Sequence, residues 1–223
     1  MAEKTALLVG ATGLVGSHLL QQLLEGGYYS QVRVLVRRPL GVEHPRLDVQ
    51  VVDFENLHKY SGLVQGDDVF SCLGTTRRKA GSDHAFRQVD FHYPYQVARL
   101  ALLKGATQHL LVSSVGANRG SRSLYLRVKG ELELAIGALP FKAVHHFRPS
   151  LLLGKRQEFR LLERLAVVTA PLFAPLMAGP LGPYRPIKAK AVAAAMIKIA
   201  RKGRDGQHTY PSDQIRVLAE LPM

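Results

Sequence analysis

The sequence is poor in cysteine and in acidic residues, and each shortage excludes a kind of protein. Its single cysteine, Cys72, leaves no internal disulfide and no metal site of the paired-cysteine type, which favours a reducing, intracellular setting. The N-terminus shows no signal-peptide pattern, because Gly10 interrupts the first apolar run, so a cytoplasmic protein is expected. The 17 acidic residues are outnumbered by 30 lysines and arginines. The net charge of +13 indicates attraction to anions without distinguishing nucleic acid, an acidic membrane surface or a phosphorylated small molecule.

The chain also lacks internal repeats, low-complexity segments and an unbroken apolar run of membrane-spanning length. Residues 165–182 are uncharged, but Pro171, Pro175 and Pro180 would break the helix that a bilayer requires. We expect this stretch to line a substrate pocket or to form a subunit contact, rather than to span a membrane. With 223 residues, of which 47% are hydrophobic and 21% charged, the chain fits one globular domain.

What the chain does contain is an alternation of short apolar runs and helical patterns. This alternation predicts a parallel sheet with helices on both faces, and hence an α/β fold with a Rossmann-type doubly wound sheet. We expect a single dinucleotide-binding domain over residues 1–223, in which residues 155–223 supply a small substrate-binding or lid portion. The predicted strands are 5–9, 31–36, 49–54, 68–73, 109–114 and 142–147, with edge strands at 207–210 and 215–218. The predicted helices are 14–25, 86–104, 123–139, 156–168 and 186–201.

A glycine-rich turn lies between the first predicted strand and the first predicted helix, with the spacing Gly-x-x-Gly-x-x-Gly. Glycine permits the tight turn, allows backbone N–H groups to approach a pyrophosphate and lets the helix pack closely on the strand. The helix N-terminus adds unpaired donors and partial positive charge. The alternative is a turn of purely structural use. The residues predicted to contact a dinucleotide are Gly10, Thr12, Gly13, Leu14, Val15 and Gly16.

The end of the second predicted strand bears on which dinucleotide is bound. An NAD-selective site places an acidic residue about 20 residues beyond the turn, whereas a 2′-phosphate requires arginine. Here the strand continues into Arg37 and Arg38, and no acid precedes Glu43. Because a guanidinium binds two phosphate oxygens at once, NADP(H) is the expected cofactor. The alternative is that both arginines are ordinary solvated surface residues.

Tyr125 and Lys129 lie four positions apart in a predicted helix, so their side chains are expected on one face. An ammonium beside a phenol favours the phenolate, which makes the phenol a usable proton donor or acceptor for a carbonyl and alcohol pair. The motif alone arises often by chance, and its position strengthens it. The preceding strand ends in Ser113 and Ser114, at the carboxyl edge where ligands bind in such folds.

The three-glycine turn, the serines that close the fifth strand and the Tyr-x-x-x-Lys of the next helix resemble the extended and atypical short-chain dehydrogenase/reductases. Further runs are similar to the Tat-interacting-protein-like branch of that family, and the similarity covers most of residues 5–160. These runs are Val52-Asp53-Phe54-Glu55, Cys72-Leu73-Gly74-Thr75-Thr76-Arg77, Leu124-Tyr125-Leu126 and Phe147-Arg148-Pro149.

The resemblance implies a role for each catalytic candidate. Tyr125 would be the general acid/base, Lys129 would hold the nicotinamide ribose and tune Tyr125, and Ser114 would hydrogen-bond the substrate oxygen. Ser113 remains the alternative to Ser114, because adjacent residues on a strand point to opposite faces. The resemblance also implies cofactor contacts by Asp53 and Phe54 at the adenine, by Leu73, Gly74 and Thr75 along the cofactor, and by Pro149 and Ser150 near the carboxamide.

Three of these positions also have a structural interpretation. Asp53 would cap its strand, Cys72 would be a small buried filler and Pro149 would end a strand. The chain departs from the family in one helix, where many members carry an asparagine that supports a proton-relay water. Helix 86–104 offers Asp90, His92, Tyr93 and Gln96 instead, so the relay is unassigned. The histidines do not cluster with acids at metal-ligand spacing, and no metal site is expected.

These observations predict an NADP(H)-dependent oxidoreductase that transfers hydride between NADPH and a small-molecule carbonyl or alcohol, with an apolar substrate. The alternative keeps the fold and the cofactor but has little or no turnover, so that the protein acts as a regulator or sensor through protein partners. Nucleic-acid binding is not expected, because the basic residues are dispersed and no binding motif accompanies them. The chain is expected to be a monomer or a homodimer.

Overall fold

A parallel sheet of seven strands lies at the centre of the part of the chain that the computed structural model describes, residues 4–154 and 184–221. Its strands are β1 (Thr5–Val9), β2 (Gln31–Val36), β3 (Leu47–Val51), β4 (Asp68–Ser71), β5 (Gln108–Val112), β6 (Ala143–Arg148) and β9 (Gly206–Pro211). Two short strands, β7 (Leu152–Leu153) and β8 (Ile187–Lys188), pair with each other outside this sheet.

The helices of the described residues cover both faces of the sheet. They are α1 (Leu14–Glu25), α2 (Arg77–Ala80), α3 (Asp83–Arg87), α4 (Tyr93–Leu103), α5 (Leu124–Gly137), α6 (Ala189–Lys202) and α7 (Ser212–Glu220). A 3₁₀ segment spans Leu57–Leu63, and a π-helical turn at Gln88–His92 connects α3 to α4.

The order of the strands reverses beside β1. The sheet runs β3-β2-β1-β4-β5-β6-β9, so Val9 at the end of β1 pairs with Leu35 on one side and with Ser71 on the other. In open α/β sheets a ligand binds outside the carboxyl ends of the strands at such a reversal. The predicted glycine turn follows β1 directly and therefore lies at this point.

Apolar side chains of the central strand are buried in both directions. Leu8 of β1 packs in a cluster with Leu19 of α1 and Met196 of α6, whereas its neighbour Leu7 packs with Val97 of α4 on the opposite face. Strands buried on both faces are typical of parallel sheets covered by helices. The prediction of a Rossmann-type doubly wound fold is confirmed.

Two predicted elements differ in the structure. The helix predicted at 86–104 is interrupted by the π-helical turn at Gln88–His92, a feature that a hydrophobic pattern does not reveal. The strand predicted at 215–218 is wrong, since these residues belong to α7. Ser212 and Ile215, three positions apart, are both fully buried, and that period belongs to a helix. The edge strand predicted at 207–210 is confirmed as part of β9.

Three predicted strands end earlier than expected, at Val51, at Ser71 and at Val112. The predicted site residues that follow them are therefore held in loops at the carboxyl edge. The predicted helix 156–168 and the apolar stretch 165–182 lie outside the described residues, which include 184–221 of the predicted substrate-binding or lid portion. Within the described ranges, no helix is long and apolar enough to cross a membrane.

Candidate active site

The glycine turn after β1 is closely packed against the end of β4. Gly10 has a φ of +83°, and a Cβ at this position would lie 2.5 Å from the carbonyl carbon of Cys72. A Cβ at Gly16 would collide with the carbonyl oxygen of Gly10. Gly13 caps α1 and donates its N–H to the Gly10 carbonyl at 2.9 Å. Glycine at these positions leaves the backbone of the turn and the start of α1 accessible, which fits a dinucleotide phosphate.

The other predicted residues of the turn differ in exposure. Thr12 and Gly13 are exposed, whereas Val15 is buried beneath the turn. Leu14 is half-buried and packs against Gly154, where a Cβ would come within 2.7 Å of the leucine Cδ1 atom. The chain that follows β7 therefore returns to the edge of the glycine turn.

A pocket of about 400 Å³ lies beside the carboxyl ends of β2 and β3. Its wall includes the rings of Phe54 and Tyr93, whose centroids are 5.6 Å apart. An aromatic wall next to a cation suits a planar base with an anionic substituent. The lining residues are Arg37, Val51, Val52, Asp53, Phe54, Glu55, Tyr60 and Tyr93.

The structure separates the two arginines that follow β2. Arg37 lines the pocket together with Asp53 and Phe54, whereas Arg38 does not line it. Both arginines lie in a bend that follows the end of β2 at Val36. Three of the predicted adenine-end residues are thus brought together, and the fourth is not.

Asp53 organises the loop at this pocket. Its Oδ2 atom accepts a hydrogen bond from the Asn56 side chain at 2.7 Å, and its Oδ1 atom accepts one from the Glu55 N–H at 2.9 Å. These bonds lower the pKa of Asp53, so the carboxylate stays charged near neutral pH. The loop-capping role that was the structural alternative is therefore present, and the same residue borders the pocket.

Tyr125 and Lys129 lie one turn apart on α5, as predicted, but in different surroundings. The Tyr125 side chain is 40% exposed, with its ring centroid 6.2 Å from that of the buried Phe86. Lys129 is buried, with 3% of its surface exposed. The phenol thus lies at the surface of the site and the ammonium lies beneath it.

Asp90 has no role that the sequence alone assigns, and in the structure it lies against Lys129. The Asp90 Oδ1 atom is 2.9 Å from Lys129 Nζ, and both side chains are almost completely buried. The Oδ2 atom accepts a hydrogen bond from the Thr75 N–H at 2.8 Å. The sequence signal for Asp90 was an acidic residue within an apolar helical stretch. Because Asp90 belongs to the π-helical turn, its carboxylate is directed into the site.

The segment Leu73, Gly74 and Thr75 crosses this ion pair after β4. A Cβ at Gly74 would lie 3.5 Å from Asp90 Oδ1 and 3.6 Å from Lys129 Nζ. The segment predicted to run along the cofactor therefore lies beside the buried ion pair, and Thr75 bonds its carboxylate. The carboxyl end of β6 is joined to α5 by a second ion pair, in which Arg148 donates to Glu133, one turn beyond Lys129.

The two candidate serines follow β5 in different environments. Ser113 is buried, and its Oγ atom makes no hydrogen bond within the described residues. Ser114 is half-buried, and its Oγ donates weakly to the Val115 carbonyl at 3.3 Å. Because Ser114 has only this weak contact and is accessible, it is the better placed of the two to bind a substrate oxygen.

Pro149 and Ser150 lie in the short connection between β6 and β7. The carbonyl of Pro149 accepts from the Val115 N–H at 2.9 Å, which joins this segment to the serine loop. The Ser150 hydroxyl donates to the Arg185 carbonyl and lies 3.2 Å from the Ser212 hydroxyl. Ser150 therefore has a structural role, whereas Pro149 lies beside the predicted substrate contact.

Comparison with known proteins fits this geometry. A family profile described as NAD(P)H-binding matches residues 10–134. The protein HTATIP2 of Rattus norvegicus is 44% identical over 170 residues, which cover 74% of this chain and 70% of the relative. The chain therefore belongs to the HTATIP2-like branch of the atypical short-chain dehydrogenase/reductases. The predicted resemblance is confirmed.

Members and structural neighbours of this reductase family extend the comparison. Protein FMP52 of Candida albicans is 32% identical over 211 residues, covering 91% of this chain and 90% of the relative. The Bordetella bronchiseptica enzyme WbmH, solved with NAD⁺, superposes with a TM-score of 0.70 at 16% identity, covering 94% of this chain and 76% of that chain. The likeness to WbmH shows the fold, and the family match indicates a nicotinamide cofactor without distinguishing NAD from NADP.

The expectation of a cytoplasmic protein is wrong by the same comparison. The FMP52 relatives from Candida albicans, Debaryomyces hansenii and Aspergillus fumigatus are all named mitochondrial. A low cysteine content is typical of proteins in reducing compartments, but it does not distinguish one reducing compartment from another.

Proposed function

We propose that this protein is an NADP(H)-dependent oxidoreductase that transfers hydride between the cofactor and a carbonyl or alcohol. The observation that supports this most directly is the position of Tyr125 and Lys129 on one face of α5, with the Lys129 ammonium against the segment 73–75. That segment starts at the switch point where family members bind their dinucleotide. The proposal places an acid/base group and a cofactor-binding cation next to each other.

The preference for NADP(H) rests on Arg37. A guanidinium at the rim of the pocket that Phe54 and Tyr93 line is suited to a 2′-phosphate beside an adenine. Arg38 would contribute long-range attraction rather than direct contact. The proposed cofactor contacts at the other end are the glycine turn, residues 73–75 and Pro149.

The nicotinamide ring supplies the hydride when the cofactor is bound. Ser114 would donate a hydrogen bond to the substrate oxygen, and Tyr125 would deliver the proton to that oxygen as the carbonyl is reduced. In the oxidation direction Tyr125 would accept the alcohol proton. Lys129 would hold the ribose and stabilise the phenolate form of Tyr125 after the proton leaves.

The substrate is proposed to be an apolar carbonyl or alcohol, because residues 165–182 carry no charge. Residues 155–223 would form the substrate-binding portion of one domain that spans the chain. The residue just before this portion, Gly154, contacts the glycine turn through Leu14, at the rim of the proposed cofactor site.

The test is Tyr125→Phe, measured for NADPH oxidation on a panel of aldehydes and ketones and for NADPH binding. We expect the variant to lose about 10²–10⁴-fold in kcat while it binds NADPH as the wild type does. Tyr95→Phe is the matched control, because Tyr95 stacks on Phe91 away from the site. Unchanged turnover in Tyr125→Phe would refute the catalytic assignment. NADPH binding without turnover in the wild type would support the regulatory alternative.

A further inference from the structure

The carboxylate of Asp90 connects two parts of the proposed site that are far apart in the sequence. One oxygen pairs with the ammonium of Lys129 on α5, and the other accepts the backbone N–H of Thr75 after β4. Each oxygen thus has its own partner. The bridge crosses from the helix that carries the proposed acid/base to the segment proposed to lie along the cofactor.

The π-helical turn sets the position of this carboxylate. The turn spans Gln88–His92, and Asp90 at its centre is fully buried. An extra residue in a helical turn shifts the side chains that follow it, and such turns occur frequently at functional sites. Here the turn directs a carboxylate toward α5, in a helical stretch where family members often carry an asparagine.

The remaining groups around Lys129 do not provide a comparable partner. On α5, Tyr125 and Glu133 lie one turn to either side, and Glu133 is engaged by Arg148. From β4, the Cys72 thiol is buried, which raises its pKa to about 12 and keeps it neutral. Among the described residues, the direct anionic contact of Lys129 is therefore with Asp90.

We propose that Asp90 is the positioning residue of this site, which keeps Lys129 protonated and ties it to the segment 73–75. The inference rests on the proposed function in one respect, that Lys129 holds the cofactor. An ammonium has three N–H donors. One donor is directed to Asp90 and two are left for the ribose hydroxyls. The ion pair therefore orients Lys129 and leaves it able to bind the ribose.

The protonation of Lys129 depends on which of two effects is stronger. Burial is the largest single effect and lowers the pKa of Lys129, but the charge and hydrogen bond of Asp90, together with the nearby Tyr125 and Glu133, outweigh it and the pKa is raised. Without the carboxylate charge, the effect of burial remains and the ammonium loses its proton at lower pH. An Asp90→Asn variant keeps the size of the side chain, removes that charge and replaces one of the two acceptor oxygens by an amide NH₂ group.

The first experiment needs no cofactor. Thermal unfolding midpoints of the wild type and of Asp90→Asn are measured from pH 6 to pH 10, without ligand. We expect the variant to unfold about 10 °C lower at pH 7, because a buried cation loses its partner. The difference should shrink toward pH 10, where a neutral Lys129 no longer carries that cost. A difference that stays constant with pH would overturn the proposal.

Two control variants identify the group responsible. In the Lys129→Met background, the difference in unfolding midpoint caused by Asp90→Asn should not shrink as the pH rises. In a Tyr125→Phe background the pH dependence should persist, which excludes the phenol as its origin. A pH dependence that disappears with Tyr125 would assign it to the phenol and overturn the proposal.

The second experiment measures the affinity for NADPH by its own fluorescence between pH 7 and pH 9.5. The wild type should bind NADPH with unchanged affinity over this range, whereas the affinity of Asp90→Asn for NADPH should fall about tenfold from pH 7 to pH 9. Wild-type affinity that falls with a midpoint below pH 9 would contradict the inference even if the variant does not fold. If the unfolding result holds but no dinucleotide binds, the ion-pair role of Asp90 stands and the proposed function fails.

Discussion

Gly10 lies directly against Cys72, so the first turn of the sheet and the end of β4 share one small space. The turn reaches this position with a φ of +83° at Gly10, and a Cβ would lie 2.5 Å from both the carbonyl carbon and the carbonyl oxygen of Cys72. The arrangement holds the glycine turn and the segment 73–75 side by side. It therefore aligns two parts of the proposed cofactor site before any ligand arrives.

Replacing Gly10 by alanine should lower the free energy of unfolding by about 2–4 kcal/mol, because the strain of the left-handed conformation adds to the backbone collision. Dinucleotide affinity should fall as well. Urea unfolding and NADPH fluorescence measure the two effects. Gly27→Ala is the control, since Gly27 has a φ of +65° but no atom within 4 Å of its Cβ position. Equal losses in both variants would show that the close approach to Cys72 contributes nothing.

Arg37 and Arg38 should differ in their effect on cofactor choice. Arg37→Ala should weaken NADP⁺ binding about 10–100-fold and leave NAD⁺ binding nearly unchanged, because it removes charge-assisted hydrogen bonds to the 2′-phosphate. Arg38→Ala has the same change of charge, and its effect should be small because Arg38 does not line the pocket. Titration calorimetry with both dinucleotides distinguishes the variants. Equal losses of NADP⁺ affinity in the two variants would mean that binding depends on the net charge of the protein and not on the position of Arg37.

Ser114 and Ser113 can be separated by parallel alanine variants. Ser114→Ala should lower kcat by about 10²-fold or more, because it removes a donor to the developing oxyanion. Ser113→Ala should leave turnover intact and stability unchanged or slightly higher, because its buried hydroxyl makes no hydrogen bond within the described residues. Steady-state kinetics and urea unfolding test both. Reversed kinetic effects would transfer the catalytic role to Ser113.

His109 should make the fold sensitive to acid. Burial, with smaller effects of His146 and His145, lowers its pKa from 6.5 to about 3. The unfolded chain binds this proton below about pH 6.5 and the folded chain does not, so stability is complete above that pH and falls with acidification. Each pH unit below 6.5 should cost about 1.4 kcal/mol from this residue.

The comparison for His109 is its replacement by leucine. His109→Leu should reduce the loss of unfolding free energy between pH 6.5 and pH 4.5, as followed by urea titrations at each pH. His145 shares the same behaviour, with a pKa lowered to about 4 by burial first and then by His208, so part of the loss should remain. His58→Gln, at an exposed position, is the control. An unchanged pH dependence in His109→Leu would disprove the assignment.

Much of the local structure could be predicted because it depends on short spacings. The glycine turn, the alternation of strands and helices and the Tyr125–Lys129 pair each follow from the periods of a strand or a helix. Predictions were wrong where the sequence pattern was short, as at 215–218. These four apolar and basic residues are compatible with a strand, but the burial of Ser212 together with Ile215 has the period of a helix. Helix ends were predicted less accurately than helix centres, as for the helix predicted at 186–201, which spans Ala189–Lys202.

The sequence by itself determined the fold class, the family and the residues at the glycine turn and on α5, because these depend on spacings within a few turns of chain. Only the tertiary structure decided that Arg37 rather than Arg38 borders the pocket and that Asp90 pairs with Lys129. Asp90 and Lys129 are separated along the chain by α4, β5 and the loop before α5, and they meet because the π-helical turn and α5 pack against each other. No local period encodes such a contact, since it depends on how distant elements are placed against one sheet.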